Sequence, residues 1–212
     1  MDPKADLRFT LTAAAATLLL CAPAHSFTVT ISSGTPRAIY LQVGVGSFAG
    51  FYNAGGTPQA NPTVNVVSAT VPAGAVGSGT AQAMASNTGA TNSFYDNFAF
   101  CTAGQLYVGG FYRFNNNANG AGATLTANSS APLVNATGET IPFTQIRWTS
   151  GGAGDTGAQP FPAGTFTAGT QTIGTIARNQ WAESCMTFSY LNSSIVASGT
   201  FTGTVTYTLT AP

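Results

Sequence analysis

The chain has 212 residues, only 6% of them charged, and its six basic and six acidic side chains give a formal net charge of zero. A globular protein ordinarily has about 25% charged residues. Proteins that bind the phosphates of nucleic acid have more basic than acidic residues, and this chain does not, so we expect no nucleic-acid partner. Disorder requires low hydrophobicity with high net charge, whereas 44% of these residues are hydrophobic. The composition therefore indicates a folded, neutral protein.

The first 26 residues are predicted to be a secretory signal peptide. A weakly basic start is followed by an apolar run over residues 9–22, and the small residues Ala22-Pro23-Ala24 end the segment. The run of about 14 residues is too short to cross a ~30 Å hydrocarbon core as a helix, and this order of regions is typical of signal peptides. The alternatives are a short N-terminal anchor or a lipid attached at Cys21. We expect the mature chain to have no transmembrane segment and to reside in the periplasm, at the cell surface or in the medium.

Residues 27–212 are predicted to form one domain with one disulfide. Loss of the signal peptide removes Cys21 and leaves Cys101 and Cys185. An even pair of cysteines in an exported chain usually forms a disulfide, and both lie in strand-like runs, so we predict a bridge between strands. The alternative is two buried free thiols. A metal site would need further histidine or cysteine ligands, so we predict neither a metal nor a cofactor.

Apolar and polar residues alternate along most of the mature chain. The alternation is clear in residues 27–31, 39–45, 106–111, 185–190 and 201–209. Such alternation over roughly four to eight residues predicts half-buried strands. Roughly nine or ten strands, separated by glycine- and proline-rich turns and without a long helix, predict an all-β, antiparallel sandwich of Ig-like or jelly-roll type. A closed barrel is the alternative.

The longest alternation lies at the C-terminal end, where Phe201, Val205, Tyr207 and Leu209 share one phase and threonines occupy the other. We predict a central strand over residues 201–209, with these four side chains in the core and the threonines pointing outwards. A slip of one residue would turn the whole apolar set to solvent, so the faces of this strand are strongly specified.

The sequence contains no recognisable set of catalytic residues. A Ser-His-Asp triad needs a histidine, and the only histidine, His25, leaves with the signal peptide. A cysteine nucleophile needs a free thiol. Catalysis by two carboxylates would have to draw on four scattered acids, Asp96, Glu139, Asp155 and Glu183. We therefore predict that the protein is not an enzyme.

Two polar and aromatic segments precede the two cysteines, and a disulfide would bring them to one end of the sandwich. Tyr95 and Asp96 belong to the first segment, and Arg178, Asn179 and Trp181 belong to the second. Aromatic faces next to amide and charged groups can bind a sugar, so these five residues form a candidate ligand cluster. The alternative is that the aromatic rings fill the core and the polar groups end strands.

The C-terminal sequence from Gly199-Thr200-Phe201 to Thr210 resembles the last strand of bacterial pilin subunits, in particular the spore-coat-U-like subunits of archaic chaperone–usher pili. The abundance of Thr, Ala, Gly and Asn and the absence of lysine after the signal peptide are similar as well. The resemblance implies an incomplete sandwich that the N-terminal strand of a neighbouring subunit completes by β-augmentation. Phe27, Val29 and Ile31 have the alternation of such a donor strand.

The resemblance also implies further copies or other fibre subunits, and a periplasmic chaperone, as partners. We therefore expect an exported structural or adhesive protein of the bacterial cell surface, namely a pilin-like fibre subunit. The alternative is a stand-alone secreted binding module, for example one that binds carbohydrate.

Overall fold

The computed structural model of the protein describes residues 28–61, 63–115, 120–155 and 157–212. The predicted signal peptide, residues 1–26, and Phe27 of the predicted donor strand lie outside these residues. The strands are β1 (Thr28–Thr30), β2 (Ala38–Val43), β3 (Phe48–Ala49), β4 (Thr57–Pro58), β5 (Val67–Ser68), β6 (Gln82–Ala83), β7 (Ala85–Ser86), β8 (Thr91–Asn92), β9 (Ala99–Cys101), β10 (Leu106–Arg113), β11 (Ala123–Asn128), β12 (Leu133–Val134), β13 (Thr140–Ile141), β14 (Ile146–Gly151), β15 (Gly164–Thr165), β16 (Thr170–Ile176), β17 (Gln180–Tyr190) and β18 (Thr206–Thr210).

Helical structure in the described residues is limited to three short 3-10 turns, at Tyr52–Ala54, Ala73–Ala75 and Phe143–Gln145. None of these turns, and no other helix in the described ranges, has the length and apolar character needed to span a membrane.

The two largest sheets lie face to face. A seven-stranded sheet has the order β15-β14-β17-β10-β2, with β1 and β6 also paired to β17, and a three-stranded sheet has the order β16-β11-β18. Their inner faces share one core, to which Val108 and Met186 contribute from the larger sheet and Leu125 and Ile176 from the smaller one. All named pairings are antiparallel. The prediction of an all-β antiparallel sandwich is confirmed.

Strand β17 is the centre of the larger sheet and has 11 residues. Strands β10 and β6 follow each other along one of its sides, and β1 and β14 follow each other along the opposite side. Both the N-terminal half and the C-terminal half of β17 are therefore paired with another strand on each side. Most of its side chains are buried.

The outer face of the larger sheet is covered as well. Alternate residues of β10 and β17 point away from the sandwich core, and Tyr107, Phe111 and Trp181 on this face are buried. Loop residues pack their rings on them, so the larger sheet is a middle layer between two apolar layers. We call this outer set the aromatic layer: Tyr40, Phe48, Tyr52, Phe94, Tyr95, Phe100, Tyr107, Phe111 and Trp181.

The predicted disulfide between Cys101 and Cys185 is confirmed. The Cα atoms are 5.5 Å apart, and the bridge joins the end of β9 to the middle of β17 across 84 positions of sequence. Both half-cystines are buried beside Phe100 and Tyr107. The bridge therefore fastens the β8–β9 hairpin, which is short and has few ladder bonds of its own, to the central strand.

We predict that the double variant Cys101→Ala/Cys185→Ala loses up to about 4 kcal/mol of unfolding free energy, since a closed loop of this length strongly restricts the unfolded chain. Urea denaturation of the oxidised mature protein and the variant measures the difference. Thiol titration of the denatured wild-type protein should find no free thiol, and two titratable thiols would contradict the bridge.

The prediction of a central strand over residues 201–209 is wrong. Only Thr206–Thr210 forms the strand β18, and β18 lies at the edge of the smaller sheet, paired with β11. Further upstream, Thr202 forms an isolated bridge with Val134. The run is divided at Gly203, where a Cβ atom would lie 3.0 Å from the Phe143 ring. Residues 203–205, between the bridge at Thr202 and the start of β18, belong to no strand.

The predicted faces are nevertheless correct for Val205, Tyr207 and Leu209, whereas Phe201, which was predicted to lie in the core with them, is partly exposed and is not among the residues packed on the sandwich core. Leu209 is 8% exposed and belongs to the sandwich core, and Val205 and Tyr207 are partly buried against it. Thr206, Thr208 and Thr210 are exposed. Alternation therefore specified which side chains are buried, although it did not specify the neighbouring strands.

We predict that Leu209→Asp lowers the unfolding free energy by about 3 kcal/mol or more, because it buries a charge without a partner. Its neighbour Thr208→Asp, on the exposed face of the same strand, should change the free energy by no more than about 0.5 kcal/mol. Urea denaturation of the two variants gives both values. Equal losses would contradict the assigned faces.

Candidate functional site

The structure brings together two residues of the predicted ligand cluster, Tyr95 and Trp181. Their ring centroids are 5.9 Å apart, and Tyr95 also stacks on Tyr52 at 6.2 Å. Trp181 is 0% exposed, so its ring offers no free face. Tyr95 is half-buried, and Asp96 next to it is exposed.

Asn179 and Arg178 of the same cluster lie in the turn between β16 and β17. Asn179 has a left-handed backbone, with φ of 57°, and its Oδ1 accepts the backbone N–H of Phe114 at 3.0 Å. Its own N–H donates to the carbonyl of Tyr112 at 2.7 Å. Asn179 therefore ends a strand pair, as in the alternative given for these polar groups. A sugar site formed by the five residues stays a prediction.

The predicted donor segment pairs with its own chain. Val29 lies opposite Trp181 in the β1–β17 pair, and Ile31, which is 6% exposed, packs with Phe111 and Trp181. The backbone N–H of Ile31 donates to Asn179 at 2.9 Å. In the single chain this segment covers one end of the aromatic layer. Its role as a donor to a neighbouring subunit stays a prediction.

Glu183, one of the four scattered acids of the sequence, has the most unusual environment of them in the structure. Glu183 is 5% exposed and lies on the outer face of β17, among the rings of the aromatic layer. Its Oε2 accepts hydrogen bonds from the Tyr107 hydroxyl at 2.6 Å and the Trp181 indole N–H at 2.9 Å. The Ser93 side chain is also hydrogen-bonded to the carboxyl group.

Tyr107 reaches this carboxyl group because a glycine, Gly109, occupies the position between them in β10. Gly109 is the register partner of Glu183 in the β10–β17 pair. The Tyr107 side chain lies across Gly109, so any Cβ atom at this position would collide with the phenol ring. A larger residue would therefore displace Tyr107 from Glu183.

Burial raises the pKa of Glu183, and the negative charge of Asp96 adds to this increase, while the hydrogen bonds from Tyr107, Trp181 and Ser93 oppose it. Burial also raises the pKa of Tyr107 well above its usual value, and the neighbouring carboxyl group adds to it. The phenol therefore remains a hydrogen-bond donor, and Glu183 holds a proton to higher pH than an exposed glutamate.

Ser93 connects Glu183 to the surface loop between β8 and β9, which we call the 93–98 loop. Inside the loop, the Ser93 Oγ accepts the N–H of Tyr95 at 3.0 Å, and the Ser93 carbonyl accepts the N–H of Asn97 at 2.9 Å. From outside, the N–H groups of Tyr52 and Asn53 donate to the carbonyls of Phe94 and Tyr95 at 3.0 and 2.9 Å. The loop is therefore held in one shape by its own bonds, by a 3-10 turn and by the buried acid.

No group of three or more His, Cys, Asp or Glu side chains that could hold a metal ion occurs in the described ranges. The fold and the site together define a disulfide-bonded all-β sandwich with a fixed surface loop above a buried acid. No protein-family model, no curated protein and no solved structure matches the chain.

We predict that the folded protein loses stability as the pH rises above the ordinary glutamate pKa of 4.5, with Glu183 as a cause. The pKa of Glu183 is higher in the folded chain than its ordinary value of 4.5, so folding takes up a proton. This stabilisation is complete below the ordinary pKa and is lost as the pH rises through the raised one.

Glu183→Gln tests this assignment, because the amide oxygen can still accept both hydrogen bonds and has no charge at any pH. Urea denaturation at several pH values should show a shallower fall in stability for the variant than for the wild type. Identical slopes would contradict the assignment.

Proposed function

We propose that the mature chain is an exported, non-catalytic structural subunit of a bacterial surface fibre. The disulfide supports export, since such bonds persist in oxidising compartments. The observation that carries the proposal is the state of the sheet edges. An edge strand offers free N–H and C=O groups to any other strand, and natural proteins block such edges with charges, prolines, bulges or covering segments.

The edge strand β2 is blocked at its C-terminal end by asparagine side chains. Asn65 donates from Nδ2 to the carbonyl of Val43 at 2.9 Å and accepts the N–H of Val45 at 3.1 Å. The Asn61 side chain donates to the carbonyl of Val45. These amides occupy the positions that an incoming strand would need.

The edge strand β16 is interrupted in two ways. Its pairing with β11 shifts register between Leu125 and Thr126, so that Ile173 has no partner in the ladder, as in a β-bulge. The chain also passes close to β16 at Gly174, where a Cβ atom would collide with the carbonyl of Pro160.

Strand β18 has none of these devices within its own residues, although β2 of the larger sheet lies close to it and the Arg37 side chain, just before β2, donates to the carbonyl of Pro212. Its five residues include no charge and no proline, and they keep an unbroken register with β11 from Thr206 to Thr210. Within the described residues β18 pairs with β11 alone. A strand added to its unpaired side would gain main-chain hydrogen bonds.

The proposed occupant of this edge is the N-terminal segment of a second copy, with Val29 and Ile31 in alternate positions. Such a contact joins two different surfaces, and a contact of this kind that does not close into a ring produces a filament. In the single chain the segment pairs with β17, so assembly exchanges one antiparallel pairing for another. A periplasmic chaperone would protect the same edge before assembly.

We predict that Thr208→Lys prevents self-assembly without lowering the thermal midpoint, because a lysine on an edge strand opposes pairing. Thr126→Lys is the matched control, since Thr126 lies opposite Thr208 on the inner strand β11. Sedimentation and electron microscopy of the purified mature protein should show fibres or large assemblies for the wild type and the control, and monomers for Thr208→Lys. A wild type that stays monomeric at high concentration would overturn the proposal.

A stand-alone exported binding module is the second candidate function. The fixed 93–98 loop favours it, because binding residues are found disproportionately on loops held by a rigid scaffold. A monomer that binds a ligand through this loop and never assembles would replace the fibre assignment.

A further inference from the structure

A small cavity, open to solvent, lies between the 93–98 loop and the chain that leaves β2. Its volume is about 210 Å³, and its apolar walls include Val45, Phe51 and Phe94, while Asn92 and Asn97 contribute polar groups. Pockets for drug-sized ligands measure roughly 300–1,000 Å³. The cavity is therefore large enough for one ring-sized unit of a ligand and too small for a longer one.

The two asparagine side chains form a pair with spare hydrogen-bonding capacity. Asn92 donates from Nδ2 to the Oδ1 of Asn97 at 2.9 Å. Each primary amide has two N–H donors and one oxygen acceptor. The pair therefore still offers the Oδ1 and one N–H of Asn92 and two N–H groups of Asn97, a combination of donors and an acceptor that suits neighbouring hydroxyl groups.

The lining that the structure describes contains no charged residue. An ionic ligand would lose hydration in this cavity without gaining an opposite charge, and burial of an unpaired charge is costly. An apolar ligand would leave the free amide groups of Asn92 and Asn97 unsatisfied. A ligand that fits both the apolar wall and the amide wall of the cavity is a neutral group with one apolar face and several hydroxyls.

The polar wall of the cavity is held in place before any ligand arrives. Asn97 has a left-handed backbone with φ of 68° and donates its N–H to the Ser93 carbonyl at 2.9 Å. Ser93 is itself anchored to the buried Glu183. Since little ordering is required on binding, a small contact area can give measurable affinity.

We propose that this cavity binds a neutral monosaccharide unit, with its apolar face towards Phe51 and Phe94 and its hydroxyls on Asn92 and Asn97. The site is separate from the predicted cluster of Tyr95, Asp96, Arg178, Asn179 and Trp181. It is also independent of assembly, because one chain contains the whole cavity.

Saturation-transfer NMR on the monomeric Thr208→Lys protein tests the proposal, with the methyl glycosides of glucose, galactose and mannose as separate probes. At least one glycoside should give a signal, with a dissociation constant of about 1 mM for so small a ligand. Absence of a signal from all three probes on folded protein would overturn the site.

Two variants locate the binding. Asn97→Gly removes the amide at a backbone position that glycine adopts readily, and it should weaken binding about tenfold. Ala90→Phe places a ring in the cavity from an exposed lining position and should abolish the signal. Ala168→Gly is the matched control, since exposed Ala168 also has a left-handed backbone, with φ of 58°, but lies outside the cavity. Unchanged binding in both Asn97→Gly and Ala90→Phe, or equal loss in Ala168→Gly, would overturn the assignment.

Discussion

The structure depends on one strand, β17, that is buried on both faces and paired on both sides. One phase of its residues, including Ala182, Met186 and Phe188, fills the sandwich core, and the other, with Trp181 and Cys185, fills the aromatic layer. Strands buried on both faces ordinarily have continuous hydrophobic sequences. In β17 the face that points into the aromatic layer carries the carboxyl group of Glu183, and this buried polar group determines how the aromatic layer is built.

A buried carboxyl group needs hydrogen-bond donors, because an unsatisfied one would cost more free energy than its neighbours could offset. Glu183 obtains them from β10, from β17 itself and from the loop between β8 and β9. Each donor has a structural consequence: Gly109 must lack a side chain so that Tyr107 can reach the acid, and Ser93 must stay beneath the surface. The disulfide fastens the same hairpin a few residues later. A polar group in the interior thus fixes the shape of a surface loop.

Alternation of apolar and polar residues predicted which side chains of the strands are buried. The even number of cysteines predicted the disulfide. Alternation did not predict that β18 lies at an edge, because a half-buried strand has the same sequence pattern at the edge of a sheet as in its middle. The signal for Glu183 was present, since it shares its phase with Trp181 and Cys185, and a residue between two buried positions of one face is buried too. The short strands over residues 48–101 have no periodicity, and their places depend on single side-chain bonds that no pattern reveals.

Asparagine side chains block a strand edge and hold loops in this protein, roles that charged residues often have in other proteins. Asn65 blocks the end of β2, and the fully buried Asn192 holds a separate loop through Ala75 and Gly77. An amide can both donate and accept, so it replaces a missing strand partner without adding charge. The chain has a formal net charge of zero, so it lacks the self-repulsion of highly charged proteins. The edge strand β16 is interrupted by a register shift and by the close passage of the chain at Gly174. This protein therefore limits its sheet edges with amides and with backbone irregularities, which need no charged side chain.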